Sequence, residues 1–463
     1  MKTTAPPLQE TFHILDGFQV DVTVHSNPYG LSLHRLFQMA ARINKKRSFL
    51  FVSKILGKHL AVPPQIPLAI GHLLAMRYKE VVHGKPDHRI RNICDALEAN
   101  QSMTEILAKL EKEPIPLEQP TTIIGFAETA TALGHAVFSA FESNVTYIHT
   151  TRENIPELSS RINFEEEHSH ATSHRVYALD SEFLDGGQEI ILVDDEITTG
   201  QTGLNIIRTL KAQYPAKNVF SIVSILDWRT AENRAKYARL EQELGITIHV
   251  VSLIEGAMGV KGSPALPSEK QADVSATKQE LSLIHVSHYM DKDDFIPISS
   301  VSANGADNPS PYLKSTGRFG LTREEEQYFS RQCKELAGYL AARRKGAKTL
   351  VIGTGEFMYI PIRIAANMGA GIHYQSTTRS PIHQSKEATY TIRSKFTFDC
   401  PENNGIANHL YNIEHKQYDE IFIFVERLAE EKDINSLLEE LQATGIPFIH
   451  VVVMTSIGGS TEC

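Results

Sequence analysis

Short apolar runs alternate with amphipathic stretches through the middle of the chain. TTIIGF at 121–126 is followed by VTYIHT, RVYALD, EIILVDD, VFSIVSILD and ITIHVVSLI. Continuous apolar runs suit strands covered on both faces, and the segments between them suit the covering helices. The rhythm predicts a mostly parallel α/β sheet flanked by helices over 119–257. Ahead of it, NPYGLSLHRLFQMAARINKKRSFLFVSKILGKHL places apolar residues at helical spacing among Lys and Arg, which predicts a helical N-terminal extension over 1–118. Residues 258–320 are rich in Gly, Ser, Pro and Asp and read as a linker, interrupted by the strand-like LSLIHVSH. Thr322 and Glu325 form a capping box ahead of EQYFSRQCKELAGYLAARRKG, with Gly346 as the expected stop. A second α/β unit fills 321–463, its strands running from TLVIGTGEF at 349 to IPFIHVVVM ending at 454.

Composition adds exclusions. An apolar fraction of 41% with 22% charged residues is that of an ordinary globular protein with a sizeable core. With 46 Lys+Arg against 55 Asp+Glu the formal charge is -9, which disfavours broad binding to nucleic acid or to anionic membranes. Cys94, Cys333, Cys400 and Cys463 form no C-x-x-C pair, so a disulfide framework and a zinc ribbon are not expected. No signal-peptide core or spanning apolar run is visible, and the sequence reads as a cytoplasmic protein.

The chemistry concentrates in IILVDDEITTGQTG, residues 190–203. If Ile190 to Val193 are a central strand, Asp194 and Asp195 stand at its carboxyl end, where open α/β sheets bind ligands. Thr198, Thr199, Gly200, Gln201 and Thr202 then turn into a helix. Backbone N–H groups at such a turn cradle an anion, the Thr hydroxyls add donors, and Gly200 permits close approach. Two carboxylates beside one phosphate cradle describe a ribose 5-phosphate grip. A strand ending in an acidic pair also fits a receiver domain with its magnesium site, and Asp and Thr also cap helices structurally. The TTGQT loop favours the phosphate reading. EEEHSHATSH, with His168, His170 and His174 behind Glu165, Glu166 and Glu167, is a candidate metal cluster or a solvated loop.

VDDEITTGQT resembles the phosphoribosyl diphosphate (PRPP) motif of type I phosphoribosyltransferases, most closely the orotate branch. The resemblance implies further site residues in chain order. Gly125, Phe126, Ala127, Glu128 and the turn after them would hold diphosphate. Thr151 and Arg152 would open a loop that covers the reaction centre. SILDWR at 224–229 would bring Asp227 and Arg229 to the diphosphate or the base, with Trp228 as a stacking surface, although Trp228 separates two residues that the family places together. The implied reaction is transfer of ribose 5-phosphate from PRPP to a nitrogen nucleophile with release of diphosphate. Mg2+ is the implied cofactor, held by Asp194 and Asp195 directly or through water, with Asp194, Asp195 and Arg152 as the catalytic set. The implied partners are PRPP and a small-molecule acceptor, and a homodimer is one candidate assembly. A non-catalytic PRPP- or nucleotide-binding regulator is the alternative.

The second unit repeats the first in outline. TTIIGFAE at 121–128 parallels TLVIGTGE at 349–356, YIHTTRENI parallels YQSTTRSPI at 374–382, and EIILVDDE aligns with EIFIFVER at 420–427. The acidic pair becomes Val425 and Glu426, and the Thr/Gly loop becomes LAEEKD, whose carboxylates repel phosphate. This predicts an internal duplication in which the first copy keeps the grip. Thr378-Arg379-Ser380-Pro381, with GTGEF and TGRFG, resembles the TRSP domain found C-terminal to orotate-type phosphoribosyltransferase domains. Bacterial members of that family are associated with tellurium resistance and stress response. Gly353, Gly355, Glu356, Thr378, Arg379 and Ser380 form a candidate second pocket, with Arg393 and Lys395 adding charge. A purely structural or dimerising role is the alternative for this unit.

Overall fold

The computed structural model describes residues 8–43, 48–165, 173–264, 279–387, 389–403 and 405–455. The region preceding the first α/β unit is not simply helical. Leu8–Leu15 (β1) and Phe18–Ser26 (β2) form an antiparallel hairpin, followed by a short helix Leu33–Leu36 (α1) and a second hairpin, Phe37–Ala41 (β3) with Phe49–Ser53 (β4). Phe18, Val20, Val22 and Val24 point inward at period two while Gln19, Asp21 and Thr23 do not, which is strand patterning. The expected helices come later, at Gln65–His83 (α2), Arg89–Glu98 (α3) and Thr104–Leu110 (α4).

The first unit follows as Thr121–Gly125 (β5), Ala130–Ser139 (α5), Val145–His149 (β6), a small hairpin of Ile162–Glu165 (β7) and Ser173–Val176 (β8), Glu189–Val193 (β9), Glu196–Ile197 (β10), Gln201–Gln213 (α6), Val219–Asp227 (β11), Ala231–Leu244 (α7) and Thr247–Lys261 (β12). Its nine-stranded sheet runs β1-β2-β12-β11-β9-β5-β6 and ends on Leu321–Thr322 (β18), with β10 paired to β11. The five strands from β12 to β6 are mutually parallel. The hairpin β1-β2 extends this sheet antiparallel to β12.

The stretch expected to be a linker is structured where described. Glu280–His285 (β13) is an edge strand of the second sheet, parallel to its neighbour. Phe295–Ile296 (β14), Ser300–Val301 (β15), Asp307–Asn308 (β16) and Tyr312–Leu313 (β17) make two small ladders before β18. The capping box of Thr322 and Glu325 opens helix Arg323–Ala341 (α8) as expected, but the helix stops four residues short of Gly346. Gly346 instead packs where a Cβ would strike Asp419 at 2.2 Å.

The second unit comprises Thr349–Gly353 (β19), Tyr359–Ala365 (α9), Ile372–Ser376 (β20), a hairpin of Lys395–Asp399 (β21) and Ala407–Tyr411 (β22), Glu420–Arg427 (β23), Asn435–Gln442 (α10) and Phe448–Thr455 (β24). Its sheet order is β13-β24-β23-β19-β20, all parallel. Position by position this matches β12-β11-β9-β5-β6, except that the outer strand β13 precedes its unit in the chain. Register supports the sequence alignment: Thr121 pairs Glu189 and Gly125 pairs Val193, while Thr349 pairs Glu420 and Gly353 pairs Phe424. Val425 and Glu426 therefore stand where Asp194 and Asp195 stand.

Candidate functional site

The acidic pair emerges where β9 ends. Val193 is fully buried, and Asp194 and Asp195 are half-buried. The Asp194 N–H donates to Val223 O at 3.1 Å and the Asp195 carbonyl accepts from Ile225 N at 3.2 Å, so both residues remain pinned to β11 beyond the strand proper. Asp195 N also donates to the Asp194 carboxylate at 3.0 Å.

Gly200 then turns the chain at φ 75° and occupies the N-cap of α6. A side chain there would meet the Tyr237 hydroxyl at 2.5 Å and Arg229 Cδ at 2.8 Å, so both the left-handed conformation and the lack of space select glycine. Because Gly200 has no side chain, α6 has no side-chain cap, whereas the next helix is capped by Thr230 on Asn233 N. Thr199 Oγ1 accepts from Gln201 N at 3.3 Å, and the Gln201 amide turns aside to Asn205 at 2.9 Å. Thr198, Thr199 and Thr202 are half-exposed around this opening.

Asp227, Trp228 and Arg229 are buried inside the unit. Asp227 is fully buried and binds Arg229 through Nε at 3.0 Å and Nη2 at 2.8 Å, with Arg234 at 3.1 Å. The Arg229 guanidinium lies 4.3 Å from the Tyr237 ring centroid, and the Tyr237 hydroxyl donates to Gly200 O at 2.6 Å. The pair thus braces the Gly200 turn from beneath. Trp228, at 1% exposure, stacks on Phe51 at 5.7 Å and 12° and meets Phe37 edge-on. It is core between the β3-β4 hairpin and the sheet, not a stacking surface for a base.

The loop after β5 and the Thr-Thr-Arg turn after β6 lock together. Phe126 N donates to Val193 O at 3.1 Å, Thr150 N to Gly125 O at 2.9 Å, and Ala127 N to Thr150 Oγ1 at 2.8 Å. Thr150 Oγ1 also contacts His174 Nδ1 at 3.0 Å. The second unit repeats these bonds: Thr377 N reaches Gly353 O at 2.9 Å and Gly355 N reaches Thr377 Oγ1 at 2.8 Å. Ser380 N caps back on Thr378 Oγ1 as Glu153 N does on Thr151 Oγ1, both at 3.1 Å.

The residues expected to form a second pocket instead join the two units. Glu356 accepts from Thr151 Oγ1 at 2.6 Å and from Arg152 N at 2.8 Å. Reciprocally, Glu128 accepts from Thr378 Oγ1 at 3.2 Å and from Arg379 N at 3.4 Å. Each unit's loop glutamate caps the other unit's Thr-Arg turn. Arg393 lies elsewhere, in an exposed pair with Glu414, and Lys395 begins β21. His168 and His170 fall outside the described residues, and among the described residues no group of three or more His, Cys, Asp or Glu gathers to hold a metal ion.

One residue of this centre was missed in the sequence. Lys58, at 2% side-chain exposure, places Nζ 3.1 Å from Glu128 Oε2 and 3.0 Å from Thr377 O. Burial lowers its affinity for a proton, and Glu128 opposes that effect. Burial also disfavours the Glu128 carboxylate, but Lys58, Arg152 and Arg379 outweigh it and hold the group down at about 2. A signal existed in the Gly-Lys step within KILGKHL, but its partner lies 70 residues on.

A family model described as phosphoribosyl transferase matches residues 36–257, and a model of the TRSP domain C-terminal to it matches 315–441. The chain carries a domain of the phosphoribosyl transferase family followed by a TRSP domain. The matched phosphoribosyltransferase span includes Lys58, the acidic pair and the Gly200 turn, and the TRSP span includes Glu356, Thr378 and Arg379. Among solved structures, adenine phosphoribosyltransferase of Trypanosoma brucei is similar at 11% identity and TM-score 0.28, over 53% of this chain and 86% of that one. The Leishmania donovani adenine enzyme gives 13% and 0.27, over 48% and 77%. A Staphylococcus aureus hypoxanthine phosphoribosyltransferase gives 14% and 0.20, over 38% and 73%. No curated protein matches the chain. No helix among the described residues is long and apolar enough to cross a membrane.

Proposed function

We propose that the first unit transfers ribose 5-phosphate from PRPP to a nitrogen nucleophile on a base or base-like metabolite, releasing diphosphate. The observation that carries this reading is the sequence of events at the end of β9: two half-buried carboxylates, then a left-handed Gly200 that opens α6 without a side-chain cap. The first-turn amides of α6 and the hydroxyls of Thr198, Thr199 and Thr202 bind the 5-phosphate, where the helix dipole favours an anion. Asp194 and Asp195 accept hydrogen bonds from the ribose hydroxyls and orient the sugar. The Gly125–Glu128 loop and Arg152 bind the diphosphate and stabilise the charge it gains as it leaves. Alignment of the two reactants and exclusion of water supply the rest.

Two oxygen-donor carboxylates, partly open to solvent, suit a hard cation that shares its ligands with phosphates and water. Asp194 and Asp195 would hold Mg2+, directly or through water, and it would supply counter-charge to the diphosphate.

The test is diphosphate release from PRPP and magnesium across a broad pool of nucleobases and small amines. Release with one acceptor class is expected, and Asp194→Asn/Asp195→Asn should lower it by roughly a hundredfold or more while the fold remains intact. PRPP binding without release from any acceptor would make the protein a PRPP-binding regulator instead.

A further inference from the structure

Two buried cations occupy equivalent places in the two units. Lys58 follows Gly57, and Arg318 follows Gly317; both glycines have positive φ. A Cβ on Gly57 would strike the Tyr374 ring at 2.7 Å, and one on Gly317 the Tyr147 ring at 2.5 Å. Gly57 O accepts from Ser376 N at 2.8 Å and Gly317 O from His149 N at 3.3 Å. Beyond them, Val62 bridges Tyr374 and Leu321 pairs with Tyr147. Each unit is thus preceded by a strap that lies along the edge strand of the other unit. Each strap returns a cation to its own unit's loop glutamate, Lys58 to Glu128 at 3.1 Å and Arg318 to Glu356 at 3.6 Å.

The equivalence breaks at the acids beyond. Arg318 Nη1 binds Glu426 at 2.9 Å, closing a triangle between strap, loop and the end of β23. Lys58 makes no such pair with Asp195, the residue equivalent to Glu426, and acts on it only through space. In the second copy the strap cation joins both the loop glutamate and the acid at the strand end; in the first, Lys58 joins the loop glutamate and not Asp195.

Resting on the reading of the first unit as a PRPP site, we infer that Lys58 is a diphosphate-binding residue of that site, held between Glu128 and the second unit's Thr377 carbonyl. A primary ammonium offers three donors. Two are used by Glu128 and Thr377; the third meets only the weakly accepting Met358 sulfur at 3.9 Å, which a diphosphate oxygen displaces. The second unit is then a working part of the site, since its edge strand fixes the strap and its Thr377 carbonyl orients the ammonium.

The experiment is calorimetric titration of the full chain, at fixed magnesium, with PRPP, inorganic diphosphate and ribose 5-phosphate. Lys58→Met leaves Glu128 buried without its ion partner and is at risk of unfolding, so the deciding variant is Lys58→Met/Glu128→Gln, which removes both charges. PRPP and diphosphate should weaken by roughly tenfold to a hundredfold, as for loss of a charged hydrogen bond. Ribose 5-phosphate should bind as in the wild type. Lys58→Arg should restore part of the loss, and Glu128→Gln alone should lose less diphosphate affinity than the double variant. Unchanged diphosphate affinity in the double variant, an equal loss for all three ligands, or an equal loss in Glu128→Gln alone overturns the inference while leaving the PRPP site standing. A wild-type chain that binds none of the three overturns both.

Discussion

The two units share a strand order and a loop framework, and differ in what fills the carboxyl end of the sheet. In the first, β9 leads into Asp194, Asp195 and an uncapped helix. In the second, β23 leads into Val425, Glu426 and Arg427, and the next turn is closed by its own capping box between Glu430 and Asp433. The Glu402 carboxylate, from the loop between β21 and β22, accepts from Glu426 N at 2.6 Å and Thr354 Oγ1 at 3.0 Å. Arg427, 2% exposed, binds Ser310 O, Asn308 O and Ser300 Oγ at 2.7–2.8 Å. Protein anions, cations and carbonyls thus satisfy in the second copy the kinds of groups that a ligand would meet in the first. A sheet of this kind tolerates loss of its ligand when the chain supplies substitutes for every buried polar group.

The largest break in that comparison is expected at Arg318. It is 2% exposed and faces Glu426 at 2.9 Å, Glu153 at 3.2 Å and Glu356 at 3.6 Å. Arg318→Leu removes the cation shared by three buried carboxylates, leaves Glu153 with Arg427 at 3.4 Å, and should cost about 3–5 kcal/mol of stability, read from denaturant unfolding of the full chain. A cost below about 1 kcal/mol would mean that the second copy is not held shut by this cluster.

A smaller, pH-dependent effect belongs to Glu402. Burial, then the neighbouring Glu426 and Glu153, push its carboxyl up to about 8 from an ordinary 4.5. With the folded value above the unfolded one, its stabilising contribution is full below about pH 4.5 and fades as pH rises through 8. Thermal unfolding of the wild type should therefore lose ground between those values relative to Glu402→Gln, which stays neutral. Glu128 carries the opposite sign: held at about 2, it stabilises above the ordinary carboxyl range and its contribution is lost only in strong acid. Parallel pH profiles for the wild type and Glu402→Gln would remove the picture of a carboxyl group standing in for a ligand.

What was legible in the sequence was contiguous. The strand, the acidic pair and the Gly200 turn lie within IILVDDEITTGQTG, and the repeat showed because GFAE and GTGE, or TTREN and TTRSP, keep their order. What stayed hidden depends on chain crossings. Glu128 and Thr378 meet across 250 residues, and Lys58 acquires its meaning only from a strap laid on the opposite unit. The period-two pattern of Phe18, Val20, Val22 and Val24 was present but overshadowed by the neighbouring basic, helix-like stretch. The capping box at Thr322 was local and held; the stop at Gly346 failed because the helix ends at Ala341 and Gly346 is used instead for close approach to Asp419.

Trp228 shows the same limit and gives the smallest expected effect. An aromatic residue between Asp and Arg at a strand end suggests a base platform, but a sequence motif does not say which face of the sheet the ring takes. Here the ring lies against Phe51 and Phe37, and Gly256 is cleared for it, since a Cβ there would come within 2.7 Å of the indole. Among the described residues the indole Nε1 has no hydrogen-bond partner, so Phe forfeits no polar contact there, only part of the buried ring area. Trp228→Phe should therefore cost about 1–2 kcal/mol of stability through incomplete packing. At temperatures where the fold is intact, the KM for an acceptor should shift by less than about twofold, because no ring is removed from the ligand's side of the sheet. A tenfold rise in that KM without loss of stability would return Trp228 to the site and require the β3-β4 hairpin to move away from it during turnover.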